Sequence, residues 1–139
     1  MRELPRQLSV EELADLFSGR TRFVDRLAGR EHPLDIAGEV ARELPEEEKV
    51  EALAAHPRIG EASPEQRGDE PGVLAELAEL NHVYEEKFGF RFVVFVDRRP
   101  RSVILPIMRE RLERTREEEL ETGLQEFVAI ARDRWMRTT

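Results

Sequence analysis

Ala55-His56-Pro57-Arg58-Ile59-Gly60-Glu61-Ala62-Ser63-Pro64-Glu65-Gln66-Arg67-Gly68 holds two of the chain's eight prolines, two of its eight glycines and one of its three histidines. Most of the remaining chain is built of helix formers. A helix entering this stretch must end at His56, because the residue before a proline is pushed out of the helical region. Beyond Pro57, Ser63-Pro64-Glu65-Gln66 reads as a new helix start, with Ser63 as N-cap, Pro64 at the first helical position and Gln66 closing a capping box. His56 thus belongs to one helix end and Glu65 to the first turn of another. The turn between them gathers an imidazole, a carboxylate, a carboxamide and backbone N–H groups that no helix satisfies. Two readings stand open: His56 caps the preceding helix through its last carbonyls, or it is a chemically active group.

Working outward towards the N-terminus, Pro45 starts the helix that delivers His56, from Glu46 to Ala55, with Val50, Leu53 and Ala54 inward. Its Glu46, Glu47 and Glu48 suit the positive end of the helix dipole. Before it, His32-Pro33 opens a helix with Leu34, Ile36, Ala37, Val40 and Leu44 as buried positions. A shorter helix carries Phe23, Val24 and Leu27 and stops at Gly29. Ser9-Val10-Glu11-Glu12 is a capping box for the first helix, in which Leu13, Leu16 and Phe17 recur at helical spacing until Gly19.

Towards the C-terminus, Asp69-Glu70-Pro71-Gly72 is a turn, and a long helix follows with Leu74, Leu77, Asn81, Tyr84 and Phe88 on one face. Asn81 lies inside that apolar stripe, where its amide must find partners or cost about 1–3 kcal/mol. Gly89 ends the helix. Phe90-Arg91-Phe92-Val93-Val94-Phe95-Val96 is the one β-like run; with no second strand to pair with, it reads as a buried extended connection. Asp97-Arg98-Arg99-Pro100 is a turn. Ser102 begins a helix with Val103, Ile104, Ile107, Met108 and Leu112 inward and Pro106 in its first turn, where a missing N–H costs least. Thr115-Arg116-Glu117-Glu118 is a capping box opening the last helix, which runs to about Trp135 with Leu120, Leu124, Phe127, Ala131 and Trp135 as its stripe. Arg134 projects roughly 40° from Leu120, whereas Arg132 and Arg137 point away. An inward arginine calls for an anion, either a substrate's or an internal glutamate's. The expected architecture is all-α: one compact domain over residues 1–139, about seven or eight helices and no sheet.

Acidic residues outnumber basic ones, 30 to 22, for a net charge of −8. That argues against nucleic acid and against anionic membrane surfaces as partners, since both need a basic face. No apolar run approaches the roughly 18 residues of a membrane span, and Met1 to Val10 has no signal-peptide core. Without cysteine there are no disulfides, thiol nucleophiles or zinc–thiolate sites. A cytoplasmic protein is expected. A metal centre is not: His82 lies on the opposite face of its helix from Asn81 and Tyr84, and His32 and His56 have no ligand spacing. No G-x-S-x-G elbow is present, and Ser63 is committed to capping. His56 beside Glu65 would suit acid–base chemistry and Arg134 a carboxylate-bearing substrate, with a helix cap and an internal salt bridge as the open alternatives.

Three segments together carry a family resemblance: His56-Pro57-Arg58-Ile59-Gly60, then Glu65-Gln66, then Leu80-Asn81-x-x-Tyr84-x-x-Lys87-Phe88-Gly89-Phe90. They resemble the OHCU decarboxylases, which act on 2-oxo-4-hydroxy-4-carboxy-5-ureidoimidazoline in the urate-to-allantoin pathway. The likeness runs from about Phe23 to Trp135, and Ile130-Ala131-x-x-Arg134 resembles the family's closing helix. It implies an all-α, cofactor-free carboxy-lyase, usually a homodimer, that takes an anionic ureidoimidazoline as substrate. It implies His56 as the acid–base group, assisted by Glu65. Pro57, Ser63, Gln66, Phe92, Val93, Val94, Phe95, Val96 and Arg134 would line the substrate pocket. The family's Phe-Gly-Phe-Pro-Phe is here Phe88-Gly89-Phe90-Arg91-Phe92, with arginine in place of proline. The alternative is a helical binding or assembly module of the same ancestry that no longer catalyses the reaction.

Overall fold

The caps read from the sequence at both ends of the chain are formed. In the computed structural model, which describes residues 3–59 and 71–137, Ser9 Oγ accepts from the Glu12 N–H at 3.1 Å while Glu12 Oε1 accepts from the Ser9 N–H at 2.9 Å. Helix α1 runs from there over Val10–Leu16. Thr21 caps α2 (Arg22–Leu27), and Pro33 starts α3 (Pro33–Glu43). Helix α4 is Glu46–Ala54 and α5 is Pro71–Phe88. Helix α6 is Arg101–Arg111, and α7, over Arg116–Arg137, is opened by the reciprocal Thr115–Glu118 bonds. The described residues hold seven helices and no strand. Ser63, Glu65 and Gln66, with the capping box assigned to them, lie outside the described residues.

Helix α7 packs against α1, α3 and α4, while α2 bridges α1, α3 and α4, and α6 lies on α5. Phe17, Phe23 and Phe127 lock α1, α2 and α7 together, with ring centroids 5.0 Å apart for Phe17–Phe23 and 5.1 Å for Phe17–Phe127. A second cluster forms from Tyr84, Phe88, Phe90 and Phe92. Beneath it the Tyr84 hydroxyl donates to Glu119 Oε1 at 2.7 Å, Arg111 Nε donates to the same oxygen at 2.7 Å, and Arg114 donates to Oε2 at 3.0 Å. Burial and then the bond to Glu119 push the Tyr84 phenol up, so it stays protonated and donating at neutral pH.

Residues 90–96 are the extended connection expected, without a neighbouring strand among the described residues. Buried backbone groups must still be paired, and here side chains take the place of a second strand. Arg111 donates to Val93 O at 2.8 Å, Arg99 Nε donates to Val96 O at 2.9 Å, and Glu126 accepts from the Phe95 N–H at 3.3 Å.

Some assignments within helices differ. Ala52, not Ala54, is buried with Leu53 on α4, because only that face meets α2 and α7. Helix α6 begins at Arg101 rather than Ser102, which moves Pro106 out of the first turn, leaves Val103 43% exposed and buries Arg101. Trp135 is half-buried at the end of α7, its Nε1 donating to Glu3 O at 2.8 Å. Arg132 does not point away: its Nε donates to Leu34 O at 2.8 Å and so ties α7 to α3. No helix among the described residues is long and apolar enough to cross a membrane.

Candidate functional site

Helix α4 ends at Ala54, and the chain turns so that the His56 N–H still reaches back to Leu53 O at 3.2 Å. The carbonyls left over at this end are taken by Arg91, whose Nη1 donates to Ala54 O at 2.8 Å and to His56 O at 2.7 Å. A cation at a helix C-terminus also meets the negative end of the dipole. So the helix is capped by Arg91, the residue that stands where the family's motif has proline, and the His56 ring is left for other contacts. Its Nδ1 is 3.4 Å from Ser18 Oγ, and its edge meets the Phe127 ring with centroids 6.2 Å apart.

The residues after His56 are held as firmly. Arg58 forms a two-pronged pair with Glu85 at 2.7 and 3.0 Å, and its guanidinium holds the Glu85 carboxyl below the usual carboxylate range. Asn81 Nδ2 donates to Ile59 O at 2.8 Å. This pairs the donor end of an amide that lies inside an apolar stripe. Asn81 therefore fixes the turn after His56 from beneath.

His56 and Pro57 open onto a cavity of about 260 Å³ between the end of α4, residues 94–98, the start of α6 and the last turns of α7. Its apolar wall is Val94, Phe95, Val96 and Ile130. Phe92 joins His56, Pro57, Val94 and Val96 around a smaller adjoining space. Val93 lines neither; it is 1% exposed and its carbonyl is held by Arg111. The structure thus brings together His56, Pro57, Phe92, Val94, Phe95, Val96 and Arg134 of the residues singled out in the sequence.

The charged lining is richer than the sequence reading allowed. Arg98, Arg101, Arg134 and Arg137 face the cavity with Asp97 and Asp133, and one of those acids, Asp133, is paired with Arg137 at 2.9 Å. A locally cationic pocket sits in a chain of net charge −8. Local field, not net charge, decides what such a site attracts. Arg137 lies three residues beyond Arg134, so it shares that face of α7, and the end of the helix leaves it room to turn inward. Arg134 Nη1 donates to Leu16 O at 2.9 Å and to Ser18 Oγ at 2.7 Å. Ser18, which no sequence motif marks, therefore stands between Arg134 and His56. Among the described residues no cluster of histidine and acidic side chains is arranged to hold a metal ion.

Comparison with known proteins places this geometry in context. A 2-oxo-4-hydroxy-4-carboxy-5-ureidoimidazoline decarboxylase of Halalkalicoccus jeotgali is 30% identical over 98 residues, covering 62% of this chain and 56% of that protein. The uric acid degradation bifunctional protein TTL of Arabidopsis thaliana is 33% identical over 98 residues, covering 58% of this chain and 30% of that protein. The matched part thus spans about half the length of the first relative and under a third of the second. An OHCU decarboxylase crystallised in the presence of (S)-allantoin superposes with a TM-score of 0.77 at 26% identity, over 88% of this chain and 94% of that one. An (S)-allantoin synthase, 19% identical, shares the fold with a TM-score of 0.71 over 91% of this chain and 48% of its own. Residues 2–136 match the model of one family, described as OHCU decarboxylase. The chain belongs to the OHCU decarboxylase family.

Proposed function

We propose that this chain decarboxylates 2-oxo-4-hydroxy-4-carboxy-5-ureidoimidazoline to (S)-allantoin without a cofactor, as a cytoplasmic homodimer in urate degradation. The observation that carries the reading is the cationic cavity with His56 and Arg134 on its wall. The substrate's carboxylate sits on a carbon next to a ring C=N bond. When the C–CO₂ bond breaks, its electron pair moves into that unsaturated system, so neither metal nor Schiff base is obligatory. The ring nitrogen takes one proton from solvent, which balances the charge of the lost carboxylate, and the former hydroxyl carbon becomes part of an enol. His56 takes the enol proton and returns it to the neighbouring ring carbon from one side, which makes a single enantiomer.

Arg134 holds an anionic part of the substrate, and the apolar wall of Val94, Phe95, Val96 and Ile130 keeps water from the departing carboxylate. Glu65 assists His56, while Pro57, Ser63, Gln66, Phe92, Val94, Phe95 and Val96 complete the pocket. Val83 and Val103, 38% and 43% exposed on the packed helices α5 and α6, are apolar side chains that a second copy would cover.

The decisive experiment mixes the protein with freshly generated intermediate and follows optical activity. Rapid appearance of one allantoin enantiomer is expected. A slow racemic background rate would point to the binding-module alternative instead.

Arg134→Met tests the anion site in the same assay. Hydrogen bonds to a charged group contribute about 1.5–3 kcal/mol, so KM should rise roughly 10- to 100-fold with the fold retained. An unchanged KM would leave Arg134 a purely structural tie between α7 and the end of α1.

A further inference from the structure

Ser18 lies in the turn between α1 and α2 at φ +67°, in the left-handed region. Glycine is the unstrained residue for such a position, and a serine held there carries a backbone penalty. Strain of this kind persists where the side chain is needed. The Ser18 hydroxyl has evident use. Its Oγ accepts from Arg134 Nη1 at 2.7 Å and lies 3.4 Å from His56 Nδ1. The second distance is at the long end for such a bond, and catalytic hydrogen bonds commonly tighten in the substrate complex.

A hydroxyl has one proton and two lone pairs, and a guanidinium can only donate. With one lone pair taken by Arg134, Ser18 keeps its second lone pair for His56. That lone pair accepts the Nδ1–H of the neutral ring, which leaves Nε2 bare and able to take a proton. It accepts the same Nδ1–H when the ring is charged. We propose that Ser18 is a positioning residue for this reaction, holding the His56 ring by Nδ1 through both protonation states so that Nε2 is the nitrogen that exchanges protons in the cavity. The same oxygen sets the spacing between the acid–base group and the arginine that takes the substrate's anion. This inference rests on the reading of His56 as the acid–base group.

The test uses two substitutions that remove the hydroxyl but differ in backbone cost. Ser18→Gly relieves the strain, so its melting temperature should equal or exceed that of the natural protein. Ser18→Ala keeps the strain and should melt no higher than the natural protein. If the hydroxyl positions His56, both variants lose kcat equally, roughly 10-fold, with KM little changed because Arg134 keeps its bond to Leu16 O. Wild-type kcat in Ser18→Gly would overturn the proposal, as would a rise in KM alone, which would tie Ser18 to Arg134 rather than to His56. His56→Ala, run alongside, separates the two readings. If it keeps its rate, the acid–base assignment fails. If it is inactive while Ser18→Gly is not, only the role of Ser18 fails.

Discussion

His56→Ala should fold, melt close to the natural protein and lose about 10²- to 10⁴-fold in decarboxylation rate, the usual contribution of a general acid–base group. The structure separates the two roles that the sequence left open for this residue. Had His56 been the cap of α4, its loss would have freed carbonyls and lowered stability by about 0.5–2 kcal/mol, the range for a lost helix cap. Arg91 instead takes the carbonyls of Ala54 and of His56 itself, and both bonds survive truncation of the ring. Among the described residues, the ring would lose its bond to Ser18 and its edge contact with Phe127. Rate measured by optical activity and melting followed by circular dichroism therefore should move independently. A variant that melts much lower but turns over normally would return His56 to a structural role.

The same comparison shows why the fold was more legible than the site. Helix starts are local: Ser9 with Glu12, Thr115 with Glu118 and Pro33 announce themselves within four residues, and the structure uses them all. The extended run at 90–96 was recognisable because no other β-like segment exists to pair with it. The site depends on pairs far apart in sequence. Arg91 reaches 35 residues back to His56, and Arg134 reaches 116 residues back to Ser18. Local reading offered the nearest polar side chain, His56, as one candidate for the α4 cap, and could not see an arginine arriving from beyond the end of α5. Ser18 carries no signal beyond a neighbouring glycine, because a left-handed φ is not written in a serine. Arg101 was missed through a one-residue error in the start of α6, which turns a cavity residue into a loop residue. Projection onto an ideal helix misplaced Arg132 and Arg137 because a long side chain near a helix end can swing across the angle that the Cα direction suggests.

Glu119→Ala should destabilise the protein by about 3–5 kcal/mol, the cost of stranding the other member of a buried ion pair. Glu119 is fully buried and Arg111 is 5% exposed, and the carboxylate accepts from Tyr84, Arg111 and Arg114 at once. Removing it leaves the Arg111 guanidinium over the Phe92 ring, 4.4 Å from its centroid, without the anion that compensates its burial. Tyr84→Phe should cost only about 0.5–1.5 kcal/mol, because one neutral donor is lost while both arginines remain paired. The difference between these variants measures how much of the network is charge. It bears on function because Arg111 also holds Val93 O, and Val93 lies within the segment whose neighbours Phe92, Val94 and Val96 line the space beside His56. At temperatures where Glu119→Ala is still folded, its KM should therefore rise, while Tyr84→Phe should bind substrate normally. If urea melts of Glu119→Ala give a loss below about 1 kcal/mol, Arg111 finds water or another acceptor when the carboxylate is gone, and the extended segment is held by Arg99 and Glu126 without it.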